Sequence, residues 1–250
     1  MQAFNNDQEL KTILLTRYKA HESADQFVQE KYWGGRCVIQ CAARTRRNPY
    51  QALESEFFIP YLTSWLGDQI LEMLNSDDAK EFPTEWANAI PVGANLTKIF
   101  DQFAEWMLIG DEFGLVNITT EPSIRKMGEL FARANAGDEP SNADWNAATL
   151  YARNAFAASN SPVVTRSTWA AQAIQSVRIV DFLRTTQMHP ALTLTEPHRI
   201  HPINETPWAA QAIRSANDAW VASTNAPFNR RFLWAARASE KLIELLKHAA

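Results

Sequence analysis

The sequence predicts an all-α fold, a multi-helix bundle that closes with a C-terminal pair of repeated helical hairpins. Three observations lead there. Apolar residues recur at helical spacing over long stretches, as in Leu62, Trp65, Leu66, Ile70, Met73 and Leu74, or Ile99, Phe100, Phe103, Trp106 and Met107. Capping residues and prolines stand where those stretches begin. Beyond residue 141, alanines and tryptophans recur as an internal repeat.

Asp7 caps a first helix over Gln8–Ala20, with Leu10, Ile13, Leu14 and Tyr18 inward, and His21-Glu22 break it. Ser23 with Gln26 reads as a capping box for a second helix over Ala24–Tyr32. Gly34-Gly35 ends it, because glycine loses the most backbone entropy on becoming helical. The helix that follows carries Cys37, Val38, Cys41 and Ala42 on one face. Asn48-Pro49 opens a short helix to Phe57, and Pro60 a longer one to Leu74. Helices follow over Asp77–Ala89, Leu96–Ile109 and Glu121–Ala136, with a short strand or loop at Leu115–Ile118.

Gly137 to Asn142 is turn chemistry without an apolar residue. It divides an N-terminal helical region, residues 1–137, from an Ala/Trp-rich region, residues 138–250, the two expected to pack as one globular unit. With a shift of 65, Asn160, Pro162, Arg166, Trp169, Ala170, Ala171 and Ala173 fall on Asn225, Pro227, Arg231, Trp234, Ala235, Ala236 and Ala238. A second echo sets Trp169-Ala-Ala-Gln-Ala-Ile174 against Trp208-Ala-Ala-Gln-Ala-Ile213. Each unit reads as helix, short Asn/Ser/Pro turn and helix. Alanine lets helices approach closely and tryptophan fills the gaps, so the repeat is read as folding architecture before a binding code.

Net charge is −4, unevenly spread. Residues 51–140 hold sixteen Asp/Glu against five Lys/Arg, a block of −11 between mildly basic ends. That balance, without a basic aromatic-interleaved patch, disfavours nucleic acid. No apolar run approaches a membrane span. Two cysteines and no signal peptide point to the reducing cytoplasm. No phosphate-binding loop or dinucleotide fingerprint is present, and no cofactor is implied.

Chemistry, if there is any, is expected near Cys37. In the first turn of a helix, beside Arg36, a thiol is drawn towards thiolate. An enzyme would need His21 as base, with Asp25 or Glu72 orienting it. Burial as a plain core residue is the commoner fate of a cysteine, and the same holds for Cys41. Asp68 and Glu72 sit at i and i+4, a spacing for acid–base work that is more often a solvated stripe. Trp33, Trp65 and Trp86 suggest a ligand pocket, though large aromatics in helices are usually core. His198-x2-His201 with Glu196 and His189 is a weak metal pattern on a proline-rich loop, and no metal is assigned.

The block His21-x3-Asp25-x-Phe27-Val28-Gln29-x2-Tyr32-Trp33, then Cys37-x3-Cys41, resembles an uncharacterised family of bacterial and phage proteins. So do Ile59-Pro60 through Ile70-Leu71-Glu72-x-Leu74, then Ala79-x2-Phe82-Pro83, the run Ala89 to Leu96, and the closing Ala238-x2-Lys241-Leu242-Ile243-Glu244-Leu245-Leu246. The sequence departs from that family in having Asn95 where the family has aspartate, and fewer glycines around its cysteines. The resemblance implies no activity. It draws attention to His21, Asp25, Trp33, Cys37, Cys41, Asp68 and Glu72, and its setting suggests an inhibitor, an immunity-type factor or an adaptor. The leading expectation is a helical module that binds another protein, and it predicts an exposed apolar or acidic patch on residues 51–140. The alternative is a cysteine-dependent enzyme with Cys37 as nucleophile and His21 as base.

Overall fold

The computed structural model describes residues 1–23, 49–187, 209–224 and 232–249. Among them are ten α-helices and no strand beyond one backbone bridge between Gln2 and Asn95. The helices are α1 (Gln8–Ser23), α2 (Pro49–Phe57), α3 (Tyr61–Leu71), α4 (Ser76–Ala89), α5 (Ile99–Ile109), α6 (Pro122–Ala136), α7 (Asn142–Ala158), α8 (Pro162–Gln187), α9 (Ala209–Thr224) and α10 (Leu233–Lys247). The expected all-α class is the observed one. The chain forms two units, Met1–Met107 with Ala226–Ala250, and Leu108–Asn225.

In the first unit α3 is the central element. Of its residues only Gln69 is not buried. Helix α3 buries Thr63, Ser64 and Asp68 along with its apolar residues, as an enclosed helix must, and α2, α4 and α10 pack on it. Pro60 leaves its first turn without a side-chain cap, so Glu54 Oε1 on α2 accepts the Tyr61 N–H at 3.2 Å. Gly67 lets α4 approach, since a Cβ there would lie 3.0 Å from Trp86 Nε1. Trp65 tilts against Phe100 with ring centres 6.2 Å apart, and Trp106 on α5 meets Trp234 on α10 at 5.8 Å. Trp65 and Trp86 are therefore core residues.

Helix α1 continues through His21 and Glu22 to Ser23, past the expected break. Its Leu14 and Tyr18 are buried, but Ile13, expected inward, is exposed. Lys11 Nζ donates to Asn88 O at 2.9 Å and Ile90 O at 2.6 Å, closing the C-terminal end of α4. Burial holds that ammonium's pKa below the usual lysine value. The chain start is docked by Ala3 N–H to Ala94 O and Gly93 N–H to Ala3 O, both 2.8 Å. Phe4, Asn5 and Asn6 are all left-handed there (φ 56°, 48° and 60°). Such a turn is costly for non-glycine residues and persists because burial of Phe4 and these bonds fix it. Asn95 Oδ1 accepts the Thr97 N–H and hydroxyl before α5, work an aspartate could also do.

In the second unit α6, α7, α8 and α9 pack in sequence. The segment expected as strand or loop is a single 3-10 turn, Leu115–Asn117. Gly128 admits Ile109, whose Cγ2 would sit 2.3 Å from a Cβ at that position. Residues Ala170, Ala171, Ala173 and Ile174 of α8 and Ala212, Ile213, Ala216 and Ala219 of α9 are buried where the two helices pack together. Trp169 Nε1 bonds Gln211 Oε1 at 3.1 Å, and Arg166 Nη1 bonds Asp218 O at 3.1 Å. As one number rises the other falls, so the helices run antiparallel. The Ala-Ala-Gln-Ala-Ile parts of the two echoes, Ala170–Ile174 and Ala209–Ile213, thus lie on neighbouring helices of one unit, and Trp208 is outside the described residues.

The expected boundary at Gly137 falls inside this second unit. Gly137 ends α6 at φ 88° with its N–H on Ala134 O, and Ser141 and Asp144 form a capping box that starts α7. The same turn chemistry serves a corner between adjacent helices and a break between domains, so it could not tell them apart. The first sequence repeat is α7 and α8, packed along each other through a short turn. The second is divided: α9 belongs to the second unit and α10 to the first.

Candidate functional site

The cysteine site expected from the sequence cannot be placed, because Asp25, Trp33, Cys37 and Cys41 lie outside the described residues. So do Glu196, His189, His198 and His201. The His21 backbone is helical at the end of α1. Among the described residues no group of three or more His, Cys, Asp or Glu could hold a metal ion, and no helix is long and apolar enough to cross a membrane.

Asp68 and Glu72 do not form the expected solvated stripe. Asp68 is only 6% exposed, and the Tyr50 hydroxyl of α2 donates to its Oδ2. Tyr50 in turn meets Tyr61 edge-on at 5.2 Å. A buried carboxylate requires such a donor, because desolvation is otherwise costly. Glu72 is half-buried at the C-terminal cap of α3, where its backbone N–H reaches Asp68 O and Ile70 O as the turn tightens. Tyr50 was not legible as a partner, since nothing in the sequence links it to a residue eighteen positions on.

The surface with the clearest functional character is on α7. Trp145, Ala148 and Ala152, at i, i+3 and i+7, are its buried stripe. Trp145 packs edge-on to Phe131 at 5.0 Å, and the Arg178 guanidinium lies 4.7 Å over its ring. Leu150 stands about 180° from that stripe by the 3.6-residue turn. It is 57% exposed, and Tyr151 beside it 39%. Ala143, Ala147 and Ala157 extend the same open face, with Asn146 and Asn154 its only uncharged polar members. Phe156, 36% exposed, lies to one side with its ring 5.6 Å from Trp169. Lys126 Nζ of α6 sits 4.5 Å over the Tyr151 ring.

The apolar patch expected over residues 51–140 is not found there: the exposed large hydrophobics among the described residues are Met1, Ile13, Leu150, Tyr151, Phe156, Ile179 and Leu233. What that region does expose is charge. Asp77, Glu81 and Glu85 stand at i, i+4 and i+8 on the outer side of α4, with no ion pair among the described residues. The position of Leu150 opposite Trp145, Ala148 and Ala152 is a signal the sequence contained. Reading the segment as tryptophan and alanine filling a hairpin obscured it.

Compared with known proteins, the chain matches no family model, no curated protein and no solved structure.

Proposed function

We propose that the chain is a protein-binding module, acting as an inhibitor, immunity-type factor or adaptor, and that α7 supplies the docking face. One observation carries this reading: Leu150 and Tyr151 lie together on an open helix face whose other members are alanines and the two amides Asn146 and Asn154. Exposed apolar side chains are ordinary when scattered, but several on one helix face are the pattern used for helix-mediated recognition.

The test compares the full chain with Leu150→Asp, both tagged, in capture from an extract of the producing cell. Circular dichroism and thermal melting check that the variant keeps its fold, as expected at so open a position. The reading expects a protein recovered in amounts comparable with the wild-type bait and lost from the variant. Identical recoveries would remove α7 as the docking face.

A further inference from the structure

The charges that border the α7 face select its occupant. The 3.6-residue turn places Tyr151 about 100° to one side of Leu150 and Arg153 about 60° to the other. Lys126, over the Tyr151 ring, therefore marks one flank, and the exposed Arg153 marks the other. The one carboxylate on α7, Asp144, is at the N-terminal end and is engaged by Ser141 and Arg133. Further out on α6, Arg125 and Glu129 are both exposed and oppose each other in sign. The central turns of the face thus hold Leu150 and Tyr151, with alanines and the amides of Asn146 and Asn154, between two cations, and α7 adds no acid there; Glu129, three residues from Lys126 on α6, is the exposed acid of that flank.

We infer that this face binds an amphipathic helix whose apolar ridge is bordered by Asp or Glu on both sides, an inference that rests on the protein-binding reading. The alanines favour a helical occupant, since they let a second backbone approach closely. A second copy of the chain fits poorly. Antiparallel two-fold pairing of this face sets Lys126 against Lys126 and Arg153 against Arg153, and parallel pairing sets Lys126 against Arg153. Both join like charges, which association disfavours. An anionic bilayer would satisfy the cations, but insertion draws on large apolar side chains and this face offers Leu150 and Tyr151 among alanines.

The experiment uses the full chain and a fluorescein-labelled helical peptide of about 15 residues, enough to follow the face for four turns. Its apolar ridge carries Leu and Ala, with Glu on both flanks. A second peptide has Lys in place of each Glu, and vesicles of phosphatidylglycerol with phosphatidylcholine are the third probe. Anisotropy should report saturable binding of the Glu peptide that weakens with added salt. The double variant Lys126→Glu/Arg153→Glu should bind it about tenfold less well and gain affinity for the Lys peptide. No binding of the Glu peptide, equal binding of both peptides, or indifference to the double reversal would overturn the inference. So would preferential vesicle binding, or self-association that Leu150→Asp abolishes. The two readings fail separately: if capture is lost with Leu150→Asp yet unaffected by the double reversal, protein binding stands and the acidic helix falls.

Discussion

Helices α3 and α8 both bury polar side chains, but they satisfy most of them differently. On α8 several polar groups turn back on their own helix, while the buried Ser167 hydroxyl has no hydrogen-bond partner among the described residues. Thr168 Oγ1 donates to Val164 O at 2.9 Å, Gln172 Nε2 to Thr168 O at 3.1 Å, and Ser176 Oγ to Gln172 O at 2.9 Å. On α3 the polar groups face other elements. Asp68 takes its hydrogen bond from Tyr50 on α2, and the buried Thr63 and Ser64 hydroxyls have no hydrogen-bond partner among the described residues. Self-contained polar groups let helices be packed by shape alone. Groups satisfied across an interface bind one helix to a particular neighbour, and their removal leaves an uncompensated charge or dipole behind.

The largest effect expected from this contrast is at Tyr50. Tyr50→Phe removes a donor from a buried carboxylate, and a hydrogen bond to a charged group contributes about 1.5–3 kcal/mol. Urea unfolding should show a loss of about 2 kcal/mol as a lower midpoint with unchanged slope. Thr168→Val, which removes only a bond back to its own helix, should stay within about 0.5 kcal/mol. Equal losses at the two sites would dissolve the distinction between the helices.

A smaller effect of opposite sign is expected at Ser64. A buried hydroxyl without a partner costs its desolvation, so Ser64→Ala should stabilise the protein by up to about 1 kcal/mol. Ser176→Ala, on α8, removes a satisfied hydroxyl and should be neutral or slightly destabilising. Destabilisation at Ser64 of the size seen at a satisfied serine would mean that its hydroxyl is bridged.

The same contrast explains what was legible in the sequence. Helical spacing gave α2, α4 and α6 to within a residue and α3 and α5 to within three at one end, because apolar faces and helix-opening prolines such as Pro49 and Pro60 are local signals. The alanines of α8 and α9 were readable as close packing for the same reason. Their antiparallel contact, with Trp169 on Gln211, needs a register between segments 42 residues apart, and the repeat hinted at it without fixing it. Division of the chain between α9 and α10 was hidden, since the repeat aligns α10 with α8 while its partners are α3 and α4. The spacing of Asp68 and Glu72 could not say which faces water, because α3 is covered on nearly every side, by α2 and α4 next to it in sequence and by the distant α10.

The smallest effect concerns acid, and it separates the units by how their helix ends are held. In the first unit α4 begins on the neutral amide of Asn75 and ends under Lys11. In the second, the corner between α6 and α7 is held by Asp138 and Asp144. The hydrogen bond from Arg133 and then its charge lower the Asp138 pKa from the usual 3.8. For Asp144 the side-chain and backbone hydrogen bonds of Ser141 lower it in the same way. A carboxylate with a depressed folded pKa contributes stability that is fully present above its unfolded value and is lost as pH falls through the folded one. Asp138→Asn should therefore melt slightly below wild type at about pH 6, and the two curves should converge towards about pH 2. Both groups are exposed, so the gap will be small and will shrink with salt. A gap that persists unchanged into acid would mean that Asp138 holds the corner by shape and hydrogen bonding rather than by charge, as Asn75 does in the first unit.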